Sequence, residues 1–207
     1  MKNLIFDFAN VIASFDQDEV FYNYTDSTED ADYIKNLFDS KKIWDELYKG
    51  KTVERVYNKA IKRVNPKYHK PIKEILTNWY KFFDINGKME RYLEKLKEES
   101  VNLYLFANFS DQFVNIERSN QDLINLFDGV YISYVRGFIK PTYISYLDFL
   151  KQNKLKAEDC LLIDTCKESL NIAEELDFKT YPYDGDLEKL KRFINKWLYK
   201  NFNWHIL

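Results

Sequence analysis

The sequence contains few cysteines and no long apolar run, and each absence excludes a class of protein. The two cysteines, Cys160 and Cys166, fit no zinc-binding spacing, so we expect free thiols in a reducing cytosol. No window approaches the roughly 18 apolar residues of a membrane span. Asp7 interrupts the N-terminal apolar segment before it reaches the length of a secretion signal. These features predict a cytoplasmic protein that does not associate with membranes.

An excess of charge of one sign is also missing. The chain has 31 Lys and Arg residues against 33 Asp and Glu residues, and the two signs are interspersed. No basic face stands out, which argues against a nucleic-acid partner. Hydrophobic residues make up 45% of the 207 residues, enough for one large domain or for a core with a smaller inserted domain.

Five short apolar runs predict buried strands. Each run is continuous rather than alternating, which is typical of parallel strands covered on both faces. They lie at Leu4–Phe6, Leu103–Phe106, Val130–Ser133, Cys160–Ile163 and Phe178–Tyr181. Segments with helical periodicity follow the last four, at Asp111–Phe127, Thr142–Lys154, Lys167–Leu176 and Asp186–Tyr199. This alternation predicts an α/β fold with right-handed crossovers.

The interval between the first and second strands is much longer than a single crossover needs. It spans roughly 95 residues and carries helix-period apolar residues of its own. These segments are Tyr33–Leu37, Ile43–Tyr48, Val53–Val64 and Ile72–Phe83. Gly50 is suited to end one helix and Thr52 to cap the next. We therefore predict a small helical domain inserted just after the first strand.

Two carboxylates and one lysine occupy the turns that follow the predicted strands. Ligands of open parallel sheets gather outside the carboxyl ends of the strands, so these turns are candidate site positions. They contain Asp7 and Asn10 after the first strand, Ala107, Asn108 and Ser110 after the second, Lys140 beyond the third, and Asp164 after the fourth. A charge at the end of a buried strand is costly without a partner, which favours a functional Asp7 over a turn cap. A helix N-cap and a surface lysine are alternative roles for Asp164 and Lys140.

The order and spacing of these segments resemble the haloacid dehalogenase-like hydrolases, a superfamily dominated by phosphatases. In one branch, the sugar-phosphate phosphatases, the first motif has the sequence DLGNV. The corresponding segment of this chain is Asp7-Phe-Ala-Asn-Val11. The other three motifs are matched by Leu105-Phe-Ala-Asn-Phe109, Gly137-Phe-Ile-Lys140-Pro141 and Asp164-Thr-Cys-Lys-Glu-Ser169. The segment from Trp44 to Thr52 is similar to the helical cap of that branch. The resemblance implies a Rossmann-like core of residues 1–14 and 85–207 and a helical cap domain of residues 15–84.

The resemblance also implies a role for each matching residue. Asp7 would attack the phosphoryl group of a small phosphorylated metabolite and form an aspartyl phosphate, which water then hydrolyses. Asp7, the backbone carbonyl of Ala9 and Asp164 would hold Mg²⁺. Lys140 would hold the nucleophile and the phosphate by charge. The residues implied for substrate binding are Asn10, Asn108 and Ser110, although the two asparagines are better suited to the simpler role of satisfying loop backbone.

Three departures from the family pattern leave two functions open. Ala9 replaces the general acid/base, whose role is typically worth 10²–10⁴-fold, although the DLGNV branch itself carries Gly there. Ala107 replaces the phosphate-binding hydroxyl, and Thr165 replaces the second acidic metal ligand. The chain is therefore either a magnesium-dependent phosphatase of reduced activity or an inactive binding or regulatory protein of the same fold. Dehalogenation is a third reading, which the absence of a DxYGT-like first motif disfavours.

Overall fold

A computed structural model describes residues 2–99 and 101–199. The strands are β1 (Asn3–Phe6), β2 (Ala13–Ser14), β3 (Asp84–Ile85), β4 (Asn102–Ala107), β5 (Gly129–Ile132), β6 (Cys160–Asp164) and β7 (Lys179–Pro182). Five of them form one parallel sheet in the order β5-β4-β1-β6-β7. This confirms the predicted α/β fold and parallel sheet, and places the carboxyl ends of β4, β1 and β6 side by side.

Helices cover the sheet and fill the long interval after its first strand. In that interval lie α1 (Gln17–Asn23), α2 (Thr28–Ser40), α3 (Ile43–Tyr48), α4 (Val53–Ala60) and α5 (His69–Asn78). The remaining helices are α6 (Gly87–Glu98), α7 (Phe113–Ser119), α8 (Gln121–Ile124), α9 (Ser133–Arg136), α10 (Tyr143–Asn153), α11 (Lys167–Glu175) and α12 (Leu187–Leu198). Within the described part of the chain, no helix is long and apolar enough to cross a membrane.

Several predicted bounds need correction. The segment Asp111–Phe127 forms two short helices instead of one, because Asn120 adopts a non-helical conformation between them. The predicted helix Val53–Val64 ends at Ala60, and Arg63 adopts a left-handed φ of 63°. Helix α1, which the sequence analysis missed, begins where the Asp16 carboxylate accepts a hydrogen bond from the Asp18 amide.

The two ends of the inserted helical segment meet at a short antiparallel pair. Ala13 of β2 lies opposite Ile85 of β3, and Ser14 lies opposite Asp84. This pair was not predicted, since two-residue strands carry no periodicity. The division into a core of residues 1–14 and 85–207 and a cap of residues 15–84 stays a prediction, and residues 200–207 lie outside the described part. We use "cap" below for residues 15–84.

Side chains of the core donate hydrogen bonds to backbone carbonyls of the cap. The Ser133 hydroxyl donates to the Tyr48 carbonyl at 2.8 Å. The Gln112 amide nitrogen donates to the Leu76 carbonyl at 2.9 Å and to the Thr77 carbonyl at 3.0 Å. Such bonds fix the position of the cap backbone relative to the core.

Gly50 lets the cap approach the core closely. Its φ is +79°, and a Cβ at this position would lie 2.5 Å from the Tyr134 carbonyl oxygen. Gly185 has a similar φ of +88°, but a Cβ there would meet nothing within 4 Å. A substitution at Gly50 would therefore introduce both backbone strain and a steric clash, whereas one at Gly185 would introduce strain alone.

We predict that Gly50→Ala lowers the free energy of unfolding by roughly 2–4 kcal/mol, since left-handed strain and a backbone clash add together. Gly185→Ala, which introduces the strain alone, should cost roughly 1 kcal/mol. Urea denaturation followed by circular dichroism measures both. Equal losses for the two variants would show that Gly50 is not needed for the close approach.

Candidate active site

Lys140 lies between the two carboxylates that end neighbouring strands. Its Nζ atom is 3.0 Å from Oδ1 of Asp7 and 2.7 Å from Oδ2 of Asp164. Asp7 follows β1, and its amide donates to the Ile163 carbonyl at 3.0 Å, which continues the pairing of β1 with β6. The structure thus brings together the three charged residues that the sequence placed at this edge.

Asp164 is the better compensated of the two carboxylates. Besides Lys140, its Oδ2 atom accepts a hydrogen bond from the Ser169 hydroxyl at 2.6 Å, and its Oδ1 atom accepts one from the Cys166 amide at 2.8 Å. Burial by itself raises the pKa of Asp164, but the charge of Lys140 and these hydrogen bonds outweigh burial and hold the pKa below its usual value. Burial likewise lowers the pKa of Lys140, and the two carboxylates more than reverse this.

Asp7 is less well compensated. Burial raises the pKa of its carboxyl group to about 6, Lys140 opposes that rise, and the nearby charge of Asp164 adds to it. Because a pKa of about 6 lies below neutral pH, Asp7 is nonetheless mostly ionised at pH 7. Because the folded protein favours its protonated form, the ionised carboxylate lowers stability.

We predict that Asp7→Asn stabilises the metal-free protein at pH 7.5. A raised folded-state pKa contributes stability that is present below the unfolded value of 3.8 and is lost as the pH rises through about 6. The gain at pH 7.5 should reach at most about 3 kcal/mol and should shrink towards pH 5. Urea denaturation in EDTA measures it, with Asp32→Asn, at an exposed position of α2, as the control. A less stable Asp7→Asn variant at pH 7.5 would contradict the assignment.

Asn108 holds the backbone of Lys140. Its Oδ1 atom accepts a hydrogen bond from the Lys140 amide and its Nδ2 atom donates to the Lys140 carbonyl, both at 2.8 Å. The Nζ atom of the lysine also lies 5.1 Å from the centre of the Phe106 ring. The side chain of Asn108 is thus engaged with backbone, the simpler of the two roles considered for it, and its substrate contact stays a prediction.

Asn10 and Ser110 also contact loop backbone. Asn10 adopts a left-handed φ of 58°, and its Oδ1 atom accepts a hydrogen bond from the Phe15 amide at 2.9 Å. Ser110 is fully buried, and its hydroxyl accepts a hydrogen bond from the Gln112 amide at 3.2 Å. Their roles in substrate binding likewise stay predictions.

We predict that Asn108→Ala lowers both stability and turnover, since it removes two hydrogen bonds that position Lys140. The expected loss of stability is about 1–3 kcal/mol. Asn108→Asp, which retains an acceptor for the Lys140 amide but loses the donor, should fall between the wild type and the alanine variant at neutral pH. Denaturation and steady-state assays measure the two effects. Wild-type values for both variants would exclude Asn108 as a support of Lys140.

Tyr146 extends the polar cluster behind Asp164, and the sequence analysis missed it. The fully buried Tyr146 hydroxyl donates to the Ser169 carbonyl at 2.7 Å and lies 2.7 Å from the Ser169 hydroxyl. The polar contacts therefore run from Tyr146 through Ser169 and Asp164 to Lys140. In the sequence Tyr146 is one aromatic residue of a helix, with no signal that marks its partner.

The donor set near Asp7 fits a magnesium ion that keeps several waters. It comprises the carboxylates of Asp7 and Asp164 and the backbone carbonyl of Ala9, all oxygen ligands of the kind that Mg²⁺ prefers. Asp164 retains acceptor capacity on Oδ1, which receives one hydrogen bond. Over residues 2–99 and 101–199, no group of three or more His, Cys, Asp or Glu side chains could hold a metal. The protein thus supplies fewer charged ligands than a dedicated metal cage.

The chain is similar to several known proteins. No family model matches the chain. It is 25% identical over 195 residues to the D-ribitol-5-phosphate phosphatase of Bacteroides thetaiotaomicron, covering 89% of this chain and 93% of that protein. A HAD-like family hydrolase from Porphyromonas gingivalis superposes with a TM-score of 0.75 at 21% identity, covering 94% of this chain and 98% of the other. The chain therefore has the fold of the haloacid dehalogenase-like hydrolases.

Solved members of the superfamily include a complex with magnesium and inorganic phosphate. That HAD family enzyme, also from Bacteroides thetaiotaomicron, superposes with a TM-score of 0.74 at 20% identity, covering 92% of this chain and 98% of the other. The L-2-haloacid dehalogenase of Xanthobacter autotrophicus, with chloropropionic acid covalently bound, gives a TM-score of 0.60 at 13% identity, with coverage of 87% and 76%. The haloacid dehalogenase-like fold therefore accommodates both phosphate and halide chemistry.

Proposed function

We propose that the chain is a magnesium-dependent phosphatase that acts on a small phosphorylated metabolite of the cytoplasm through an aspartyl phosphate on Asp7. The observation that carries the proposal is the position of Lys140, with its Nζ atom within 3.0 Å of carboxylate oxygens of both Asp7 and Asp164. This arrangement provides an ionised nucleophile, a fixed cation and oxygen ligands for a metal at one sheet edge.

The residues of the chain divide the reaction between them. An Asp7 carboxylate oxygen attacks the phosphorus atom, the bond from phosphorus to the ester oxygen breaks, and water later cleaves the acyl phosphate to release inorganic phosphate. Lys140 reduces the repulsion between the two anions by its charge. Magnesium, when bound, would offset the remaining negative charge. Since Ala9 has no acidic group, the leaving oxygen takes its proton from water, and we expect slow turnover of esters with poor leaving groups.

A phosphorylated sugar or polyol is the substrate class that we propose. The support is the similarity of this chain to the D-ribitol-5-phosphate phosphatase of Bacteroides thetaiotaomicron. The match covers 93% of the length of that phosphatase. The first motif, Asp7-Phe-Ala-Asn-Val11, gives the same indication because it resembles the branch of sugar-phosphate phosphatases.

A panel of sugar and polyol phosphates, together with p-nitrophenyl phosphate, tests the proposal with Mg²⁺ and with EDTA. Phosphate release should require the metal, and Asp7→Asn should reduce it at least about 100-fold, since the nucleophile is lost. Asp32→Asn is the control, because its side chain is exposed on α2. Equal turnover by the wild type and Asp7→Asn would exclude Asp7 as the nucleophile.

A catalytically inactive binding or regulatory protein is the second candidate. The observation that favours it is the loss of three family groups at Ala9, Ala107 and Thr165. In this case the wild type should hydrolyse no ester of the panel, and calorimetry should detect no binding of Mg²⁺. Metal-dependent turnover that disappears in Asp7→Asn would exclude this candidate.

A further inference from the structure

An open groove of about 970 Å³ lies between α6 and α12, and none of the three charged residues of the candidate active site lines it. Three cations of α6, Lys88, Arg91 and Lys95, form part of its wall, and Lys191 belongs to the wall that α12 provides. The α6 cations follow one another at intervals of three and four residues, which places them along one face of the helix. We call this feature the basic groove.

The basic groove has four cations against three carboxylates, but the carboxylates are engaged within the protein. Glu188 pairs with Lys191, with an oxygen–nitrogen distance of 2.7 Å. Asp186 caps α12, and Glu99 accepts a hydrogen bond from the Tyr199 hydroxyl at 3.2 Å. The three cations of α6, in contrast, form no side-chain hydrogen bond or ion pair within the part of the chain that the structure describes.

Mutual repulsion makes an unpaired stripe of this kind unfavourable. Arg91 and Lys95 are four residues apart, and like charges at this spacing destabilise a helix. An anion that contacts both side chains removes the repulsion directly, whereas dissolved salt only screens it. The stripe is therefore better suited to a bound anion than to empty solvent.

The basic groove also contains a buried hydroxyl group that lacks a partner. Tyr92 lines the groove, is 7% exposed, and its hydroxyl forms no hydrogen bond with any described residue. Burial, together with the charges of Glu99 and Glu188, raises the pKa of Tyr92, so the hydroxyl stays protonated. A buried hydroxyl without an acceptor is unfavourable, and a ligand rich in oxygen atoms would supply one.

The length of the cationic stripe indicates the kind of anion. Lys95 follows Lys88 by seven positions, which corresponds to about 10 Å along the helix axis. A molecule with two or more phosphate groups spans this length better than a single phosphate does. The Arg91 guanidinium suits bidentate contact with phosphate oxygens, and the lysines act as point charges. A long nucleic-acid strand fits less well, because the carboxylates on the α12 wall would repel it.

We propose that the basic groove binds a small molecule that carries two or more phosphate groups, held by Lys88, Arg91 and Lys95. The site is separate from Asp7 and does not depend on the proposed phosphatase function. A solvated charged face is the competing account, since lysines and arginines are mostly exposed in proteins. On that account a polyanion would be attracted by overall charge alone, so that any two surface cations would matter equally. The two accounts therefore differ in whether the position of the cations matters.

Calorimetry with inorganic pyrophosphate, in EDTA, tests the proposal. Pyrophosphate should bind at least about tenfold more tightly than inorganic phosphate, because it contacts more of the cations. The paired substitution Arg91→Gln and Lys95→Gln should weaken its binding by at least about tenfold, since charge-assisted contacts are lost. Arg118→Gln with Lys151→Gln is the matched control, because it removes one arginine and one lysine at exposed positions of α7 and α10. No binding, or equal weakening by the two pairs, would overturn the proposal.

Asp7→Asn distinguishes the basic groove from the active site as the place where pyrophosphate binds. Removal of that negative charge should strengthen anion binding next to Lys140 and leave binding in the groove unchanged. An affinity that changes in Asp7→Asn but not in the pair at Arg91 and Lys95 would place the ligand at the active site and overturn the proposal. Wild-type affinity in Asp7→Asn, together with the loss in the groove pair, would support it even if the chain hydrolyses no ester. Denaturation curves establish that each variant is folded.

Discussion

The candidate site depends on one buried ammonium group that lies between two carboxylates. Neither Asp7 nor Asp164 would be stable as an anion at the end of a buried strand without Lys140, and the lysine itself is only 6% exposed. The strand order places β1 between β4 and β6, so that Asp7 and Asp164 follow adjacent strands. Asn108, after β4, then fixes the backbone of Lys140 through two hydrogen bonds. The polar contacts of Lys140 therefore join four segments that are distant in sequence.

The unequal sharing of that charge gives the site its chemical character. Asp164 accepts hydrogen bonds from Ser169 and Cys166 as well as from Lys140, and so holds the Lys140 ammonium group in place. Asp7 receives less compensation and is held in its ionised form at an energetic cost. A carboxylate that accepts few hydrogen bonds is a stronger nucleophile than one whose oxygen atoms all accept hydrogen bonds. In the proposed reaction Asp7 supplies the attacking group, whereas Ala9 supplies no proton donor, so attack and leaving-group departure are considered separately.

The sequence predicts those parts of the structure that depend on local pattern. Continuous apolar runs gave the parallel strands to within two residues, since burial on both faces requires such runs. The carboxyl ends of the strands in turn identified Asp7, Lys140 and Asp164. Features that depend on the approach of distant segments were not predictable. The clamp that Asn108 forms on Lys140 and the contact of Tyr146 with Ser169 join residues more than 20 positions apart, with no periodicity to mark either partner. The pairing of β2 with β3 is of the same kind.

Covalent attack by Asp7 is the central claim, and chemical trapping tests it most directly. Borohydride reduces an acyl phosphate to an alcohol, so quenching a sample that is turning over p-nitrophenyl phosphate would convert a phosphorylated aspartate into homoserine. The account predicts homoserine at position 7, found by mass spectrometry of the digested protein, and none in Asp7→Asn. An unmodified Asp7 in a sample that releases p-nitrophenol through a metal-dependent reaction would contradict it.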